Sequence, residues 1–238
     1  MSRLFQYAVL LVILTLCDKI LTLPNDIEKC RISDDKCLLK SSNKVLWKYY
    51  GGIKEMNLAP LDPFYVDYIK IVQNAGIVTI DAIANKTNIL GFSKAKIEKI
   101  TGFEANKPEI LIRAPKLSFN GLYSSIANVL GLTVNGKGTF KVTFNNFVGT
   151  FRMKLERYQN NGKTYFKILN SKLTFDISGG EMDIPDQGYL TNVFLNASFD
   201  VIIKRSLITV ISEEWTKFFE KAVNSVFTKV AIEDMFQA

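Results

Sequence analysis

The chain has 238 residues, of which 47% are hydrophobic, so it can bury a large core within one domain. Its net charge is +7, but the cations are scattered and form no basic stripe interleaved with aromatic residues, so we expect no nucleic-acid partner. The absence of histidine excludes Ser-His-Asp and Cys-His catalytic sites and removes the commonest metal ligand. Carboxylate chemistry stays open, but no two carboxylates have a recognisable catalytic spacing. The sequence therefore predicts no enzyme, no metal and no cofactor.

The N-terminus has the pattern of a secretory leader. Arg3 precedes an apolar run at residues 4–16, which is too short to span a bilayer. Small residues predict cleavage after Cys17, with Thr22 as a second candidate. A membrane anchor is the alternative, but two charged residues follow Cys17 at once and interrupt the stretch. We therefore expect a secreted, extracellular protein whose net charge is about +6 after cleavage.

The cysteines agree with that compartment. Once Cys17 leaves with the leader, Cys30 and Cys37 remain as a closely spaced pair, and an oxidising compartment predicts a disulfide between them. A pair of free thiols or a metal site is the alternative, but no third or fourth ligand lies nearby in the sequence. Two sequons predict N-glycosylation, at Asn85 and at Asn196.

The first half of the chain predicts one helix followed by strands. Ser33 can cap a helix over residues 33–52, and Gly51-Gly52 can end it. After the turn Pro60-Leu61-Asp62-Pro63 come strand-like segments at 64–72, 77–80 and 96–100.

Residues 109–178 alternate apolar and polar side chains with a period of two, which is typical of half-buried antiparallel strands. Pro115 marks a bend or a sheet edge within this region. Asn160-Asn161-Gly162 predicts a hairpin turn between strands at 147–157 and 163–177. The apolar faces are bulky: Phe140, Val142 and Phe144; Phe151, Met153 and Leu155; Phe166 and Ile168; Leu173, Phe175 and Ile177.

The C-terminal segment predicts a long helix. It begins near Ser206 or Ser212 and ends near Phe236, and its apolar side chains cover about half of the circumference. They are Leu207, Ile208, Ile211, Trp215, Phe218, Phe219, Ala222, Val223, Val226, Phe227 and Val230. A flat sheet would cover only a narrow stripe of such a helix. We therefore predict an α+β fold in which a strongly curved antiparallel sheet wraps around the long helix, with a short helix at the N-terminus.

The order and spacing of several motifs resemble those of the insect takeout and juvenile-hormone-binding proteins, within the tubular lipid-binding superfamily. Besides the leader and the cysteine pair, these motifs are Ala59-Pro60-Leu61-Asp62-Pro63, Gly91-Phe92-Ser93, Gly121-Leu122-Tyr123, Gly136-Lys137-Gly138, Leu190-Thr191-Asn192-Val193-Phe194 and Glu213-Glu214-Trp215. Because no Pro/Gly/Ser-rich linker separates two halves, we predict a leader at 1–17, or to 22, followed by a single domain of this type at 24–238. The resemblance implies a hydrophobic tunnel between sheet and helix.

The function implied by the resemblance is carriage of a small elongated hydrophobic ligand, such as a juvenile hormone-like terpenoid, a fatty acid or another lipid. We expect a monomer without stable membrane insertion, and a receptor is conceivable but not identified by the sequence. Tyr123 and Tyr165 are candidates for polar groups at a tunnel end. The candidate ligand-binding residues are Tyr123, Phe140, Val142, Phe144, Phe151, Met153, Phe166, Phe175, Trp215, Phe219, Val223 and Val226.

One alternative stays open at this point. The same aromatic residues could fill an ordinary close-packed core, and the chain would then be a secreted interaction or adhesion module without a small-molecule ligand. Strand alternation alone does not separate a tunnel wall from a face that the helix covers.

Overall fold

The structure is a computed structural model that describes residues 23–54, 58–133 and 135–237. The leader predicted at 1–17, or to 22, lies outside the described residues. Among those described, no helix combines the length and the apolar character needed to cross a bilayer.

The N-terminal part consists of one short strand and one helix, joined by a disulfide. Strand β1 (Cys30–Arg31) is followed by helix α1 (Asp35–Lys48). The predicted cap was one residue off, because the Asp34 carboxylate accepts the hydrogen bond from the Cys37 N–H at 3.0 Å. The helix also ends at Lys48, earlier than predicted. The predicted disulfide between Cys30 and Cys37 is confirmed, with 5.6 Å between the two Cα atoms.

Asp26 ties the segment before β1 to the end of α1. Its carboxylate accepts hydrogen bonds from Lys48 Nζ and from the Tyr49 hydroxyl, both at 2.5 Å. The bond from Lys48, followed by the bond from Tyr49, lowers the pKa of Asp26 from 3.8 to about 2.

The centre of the fold is one antiparallel sheet with the strand order β2-β3-β5-β7-β8. Its strands are β2 (Phe64–Ala75), β3 (Val78–Leu90), β4 (Lys96–Thr101), β5 (Glu109–Val129), β6 (Leu132–Thr133), β7 (Gly136–Asn160), β8 (Lys163–Asp176) and β9 (Gly179–Asp183). Strands β4 and β6 pair with β5, and β9 pairs with the first part of β7. The predicted hairpin is confirmed, since Asn160 pairs with Lys163 across the turn.

The two longest strands, β5 and β7, reverse their inward faces at one shared point. Leu117 pairs with Phe144, and Ala114 pairs with Phe147, and all four side chains are buried. Between these pairs each strand has two residues in succession that are not buried, and Asn146 has a positive φ of 50°. Pro115 has no paired residue in the ladders on either side of β5. The strand therefore continues through Pro115 and bends there without losing a backbone hydrogen bond to a neighbouring strand. The predicted bend at Pro115 is therefore present.

After a 3₁₀ turn at Pro185–Gln187, four longer helical segments follow the sheet. They are α2 (Gly188–Ala197), a π-helix (Val201–Leu207) that leads directly into α3 (Ile208–Phe227), and α4 (Ile232–Met235). The prediction that one helix continues to about Phe236 was wrong. The chain leaves α3 after Phe227 because Val230 and Ala231 turn inward and become fully buried. Strand β10 (Phe236–Gln237) then pairs in parallel with β1.

Helix α3 closes the open side of the curved sheet. A polar stripe of Thr216, Glu220 and Asn224 lies along the edge of β8. Thr216 Oγ1 accepts the Leu173 N–H at 2.9 Å, and Asn224 Oδ1 accepts the Ile168 N–H at 3.3 Å. Such side chains satisfy an edge strand that would otherwise be free to pair with another molecule. On its other side α3 reaches β2, where the Phe218 ring contacts the Phe64 ring.

Large aromatic side chains fill one half of the space between the sheet and α3. Trp215 stacks on Phe119 and on Phe175, each with ring centroids 5.1 Å apart, and contacts Phe147 at 5.7 Å. Towards the C-terminus a second group of rings packs together, formed by Phe103, Phe166, Phe227 and Phe236. The other half of this space is not filled.

Candidate functional site: an apolar cavity

A cavity of about 210 Å³ lies between the sheet and the helical segments, on the far side of Trp215 from the second aromatic group. One wall is formed by isoleucines of β2 and β3, among them Ile69, Ile71 and Ile80. Phe140, Val142 and Phe144 of β7 contribute to the sheet wall. The π-helix and the start of α3 cover it with Ile202, Ile203, Leu207 and Ile211.

The empty space arises from a row of small side chains. Ala82 lies opposite Ser125, and Ile80 lies opposite Ala127, in neighbouring strands β3 and β5. Ala82, Ser125 and Ala127 all line the cavity, as does Ala84. The same concave surface beyond the bend carries phenylalanines instead, so it leaves no such space.

Few polar groups reach this cavity. The Tyr123 hydroxyl accepts a hydrogen bond from Gln187 Nε2 at 2.8 Å, and this amide also binds the Asn135 carbonyl at 3.2 Å. Glu214 lines the cavity near Trp215 and forms an ion pair with Lys217 at 2.5 Å. Within the described residues, no group of three or more Asp, Glu or Cys side chains is arranged to hold a metal ion. The site can therefore hold an apolar molecule with few polar atoms.

Comparison with known protein families gives a match to "Haemolymph juvenile hormone binding protein (JHBP)" over residues 8–237. The chain belongs to this family. Its relatives include the circadian clock-controlled protein daywake of Drosophila melanogaster, at 21% identity over 90% of this chain and 88% of that protein. Daywake of Drosophila yakuba is 20% identical over the same shares. The crystal structure of Epiphyas postvittana Takeout 1 matches with a TM-score of 0.77 and 16% identity, covering 89% of this chain and all of that one. The family and the fold predicted from the sequence are thereby confirmed.

Five of the twelve predicted ligand-binding residues of this JHBP-family chain line the cavity: Tyr123, Phe140, Val142, Phe144 and Trp215. The other seven lie outside the lining, in the filled half of the fold. They are Phe151, Met153, Phe166, Phe175, Phe219, Val223 and Val226. Phe151 packs on Phe219 with ring centroids 5.8 Å apart, and Phe175 stacks on Trp215. Tyr165 stacks on Tyr158 near the β7–β8 turn, so it also lies away from the cavity.

Several lining residues were missed by the sequence reasoning. The isoleucines of β2 and β3 and those of the π-helix carry much of the wall, although none of them is aromatic. The signal that could have found the site is the alternation of small residues at Ala82, Ala84, Ser125 and Ala127, since a row of small inward side chains is what leaves room.

Two asparagines on α2, Asn192 within the family motif and Asn196 two residues after that motif, hold the edge of β9 beside the cavity. Asn196 accepts the Met182 N–H and donates to the Met182 carbonyl, both at 2.7 Å. Asn192 does the same with Ile184, at 2.7 and 2.9 Å. These amides complete the edge of β9 as a neighbouring strand would, and they fix Met182 and Ile184 in the cavity wall.

Another pair of family motifs meets directly. The Asp62 carboxylate accepts the N–H groups of Gly91 and Ser93, at 3.1 and 2.8 Å, and also the Ser93 hydroxyl. Gly91 has a φ of 116°, and a Cβ there would lie 2.2 Å from the Lys116 carbonyl oxygen. These motifs therefore join the segment before β2 to the segment between β3 and β4, and they do not line the cavity.

Proposed function

We propose that this protein is a carrier that binds a small elongated hydrophobic ligand in the cavity. The observation that supports this is the unfilled apolar space beside a fully packed half of the same fold. An adhesion module would need no such space and would be expected to have a filled core. Membership of a family described as hormone-binding supports the same function.

Burial of an apolar ligand against the lining residues is sufficient for micromolar affinity, and no catalytic step is needed. A terpenoid or fatty chain that buries about 15 carbons gains about 12 kcal/mol, at about 0.8 kcal/mol per carbon. Association costs about 4 kcal/mol or more in lost translational and rotational freedom. The difference of about 8 kcal/mol corresponds to a dissociation constant near 1 μM.

We further propose that the carrier is secreted and acts as a monomeric single domain over residues 24–238. The leader pattern at residues 1–17 supports secretion, and so does the disulfide between Cys30 and Cys37, since such bonds persist in oxidising compartments. We propose a glycan at the Asn85 sequon as well, but none at Asn196, because both amide hydrogens of Asn196 are donated to backbone carbonyls.

The test is extraction of bound lipid. The mature protein, expressed as a secreted chain, is extracted with organic solvent and the extract is analysed by mass spectrometry. We expect co-purifying apolar molecules, and a higher melting temperature when terpenoids or fatty acids are added. The variant Ala127→Leu, which fills part of the cavity, is the control and should retain less lipid. An empty extract together with no thermal shift would rule out the carrier.

A further inference from the structure

A recess of about 420 Å³ lies on the outer face of the sheet, where the start of β5 meets β7 and β8. It shares no lining residue with the apolar cavity. We call it the cationic recess, because four cations and one carboxylate line it: Lys107, Arg152, Lys154, Lys172 and Glu109.

The first row of the cationic recess places two cations directly opposite each other. Arg152 of β7 pairs with Lys172 of β8 and, on its other side, with Glu109 of β5. Residues in such positions have Cβ atoms about 5 Å apart, and like charges there destabilise a sheet. The Glu109 carboxylate is shared, since it accepts a hydrogen bond from Arg152 at 2.7 Å and one from Lys99 at 3.3 Å. The row therefore keeps an excess of positive charge.

The second row adds two lysines and an amide. Lys154 of β7 pairs with Asn170 of β8. Lys107 lies on the other side of Lys154, because the N–H groups of the two residues flanking Lys154 donate to the carbonyls of the two residues flanking Lys107, at 3.0 and 2.8 Å. A β-bulge at Leu169 shifts the register of β8, and this extra residue turns Asn170 and Lys172 to the outer face. Bulges are over-represented beside functional sites.

Three of the four cations have no carboxylate partner. Within the described part of the chain, the ammonium groups of Lys107, Lys154 and Lys172 form no ion pair. Another cation of the same sheet, Arg113, does form one, with the Glu98 carboxylate at 2.9 Å. A recess lined by one sign of charge concentrates counter-ions, so this one is suited to an anion.

The groups present define the charge that the anion needs. A single contact between exposed charges is weak, so a singly charged group gains little here. A phosphate monoester carries a charge of about −1.5 to −2 at neutral pH and has three acceptor oxygens, so it can contact several cations at once. Each lysine has three donors, the Asn170 amide has two, and the Arg152 guanidinium has donors besides the Nε–H that Glu109 accepts.

We propose that the cationic recess is a second binding site of this protein, separate from the apolar cavity, and that it takes a doubly charged phosphate group. A soluble phosphate monoester and a phospholipid with a terminal phosphate both present this group, and the test separates the two sources. The site does not depend on the carrier function, because the two linings have no residue in common. A phosphate bound between Arg152 and Lys172 relieves their repulsion, so binding should raise the melting temperature.

The test compares two double variants that lose the same charge. Lys154→Gln/Lys172→Gln removes two cations of the recess. The control, Lys141→Gln/Lys167→Gln, removes two exposed lysines of the same strands, β7 and β8, that do not line it. Isothermal titration calorimetry at constant ionic strength measures binding of glycerol 3-phosphate, which is doubly charged, and of dimethyl phosphate, which is singly charged. We expect the wild type and the control to prefer glycerol 3-phosphate about tenfold, and the recess variant to bind it about tenfold more weakly.

Sedimentation with phosphatidylcholine vesicles separates the two sources. Added phosphatidic acid presents a terminal phosphate, whereas added phosphatidylglycerol presents a singly charged diester. Sedimentation with phosphatidic acid alone that is lost only in the recess variant supports a headgroup site. Binding of glycerol 3-phosphate without such sedimentation supports a site for soluble monoesters.

Three results would overturn the site: equal affinity of the wild type for the two soluble probes, equal weakening in the two double variants, or binding of neither glycerol 3-phosphate nor phosphatidic acid vesicles. None of these results bears on lipid held in the apolar cavity. A further measurement uses no ligand. The melting temperature of the recess variant should equal or exceed that of the wild type, because the repulsion at Lys172 is removed. A clear decrease would show that these lysines stabilise the fold, and it would also overturn the site.

Discussion

Replacing Ala127 with Leu should fill part of the cavity and leave the sheet unchanged. Ala127 lies on β5, opposite Ile80, with its side chain in the cavity wall. Leucine adds three carbons, and their full burial would gain about 2.4 kcal/mol at about 0.8 kcal/mol each. The fixed leucine rotamer opposes this by about 0.5–1 kcal/mol, so we expect the free energy of unfolding to rise by about 1–2 kcal/mol. A ligand loses room for about three carbons and should bind about 50-fold more weakly.

Ala114 provides the matched control on the same strand. It is fully buried opposite Phe147, in the filled half of the fold, and it does not line the cavity. The same substitution there overpacks a close-packed region and should lower the free energy of unfolding by about 1–3 kcal/mol. Ligand affinity should stay at the wild-type value as long as the variant is folded.

The two variants are compared by urea unfolding followed by circular dichroism and by dye displacement with lauryl alcohol. Opposite signs of the stability change, with loss of affinity only in Ala127→Leu, are the expected result. Equal destabilisation by both substitutions would mean that Ala127 faces a packed core. Wild-type affinity in Ala127→Leu would mean that ligand binds elsewhere.

Three further predictions concern the edges and the surface of the fold. Thr216→Val should lower the free energy of unfolding by about 1–3 kcal/mol in urea titrations, because a buried N–H of the β8 edge loses its acceptor. The control is Thr228→Val, which should cost less than about 0.5 kcal/mol, because the Thr228 hydroxyl donates to the Asn224 carbonyl of its own helix. Equal losses would contradict the edge-capping role. The pKa of Asp26 is lower in the folded protein than its ordinary value of 3.8, so its stabilising effect is complete above that value and is lost as the pH falls towards about 2. The difference in unfolding free energy between the wild type and Asp26→Asn should therefore shrink over this range, and a constant difference would be inconsistent with it. In protein secreted from eukaryotic cells, peptide mass spectrometry should find a glycan on Asn85, which faces outward from β3. It should find none on Asn196, because both amide hydrogens of that side chain are donated to backbone carbonyls. Full occupancy of Asn196 with an unchanged melting temperature would refute this.

The sequence predicted those parts of the fold that depend on neighbouring residues. The period of two at residues 109–178, the turn Asn160-Asn161-Gly162 and the cysteine pair are local patterns with local causes. The end of α3 could not be predicted in this way. Residues 228–231 continue the helical pattern of apolar side chains, but Val230 and Ala231 are buried by tertiary contacts that the pattern does not contain.

The candidate site was predicted less well than the fold, and for a physical reason. The prediction selected large aromatic side chains, because these dominate apolar faces. A large side chain, however, fills space, and seven of the twelve selected residues do so in the filled half. The inward faces also reverse at Lys86 and at the bend of Pro115 and Asn146, which depends on positive φ values and on strand pairing. A strict period of two therefore assigns the wrong face beyond each of these points.

The bend between Pro115 and Asn146 explains how one small fold can hold an empty cavity. Unfilled space of 210 Å³ costs about 5 kcal/mol at about 24 cal/mol per Å³, a large share of the 5–15 kcal/mol by which domains are stable. The filled half must offset this cost, and its stacked rings around Trp215 provide close packing there. Trp215 contacts the cavity with one part of its surface and the filled half with another. Ligand that enters the cavity would recover part of the 5 kcal/mol, so binding should raise the stability of the whole domain and not only that of the cavity wall.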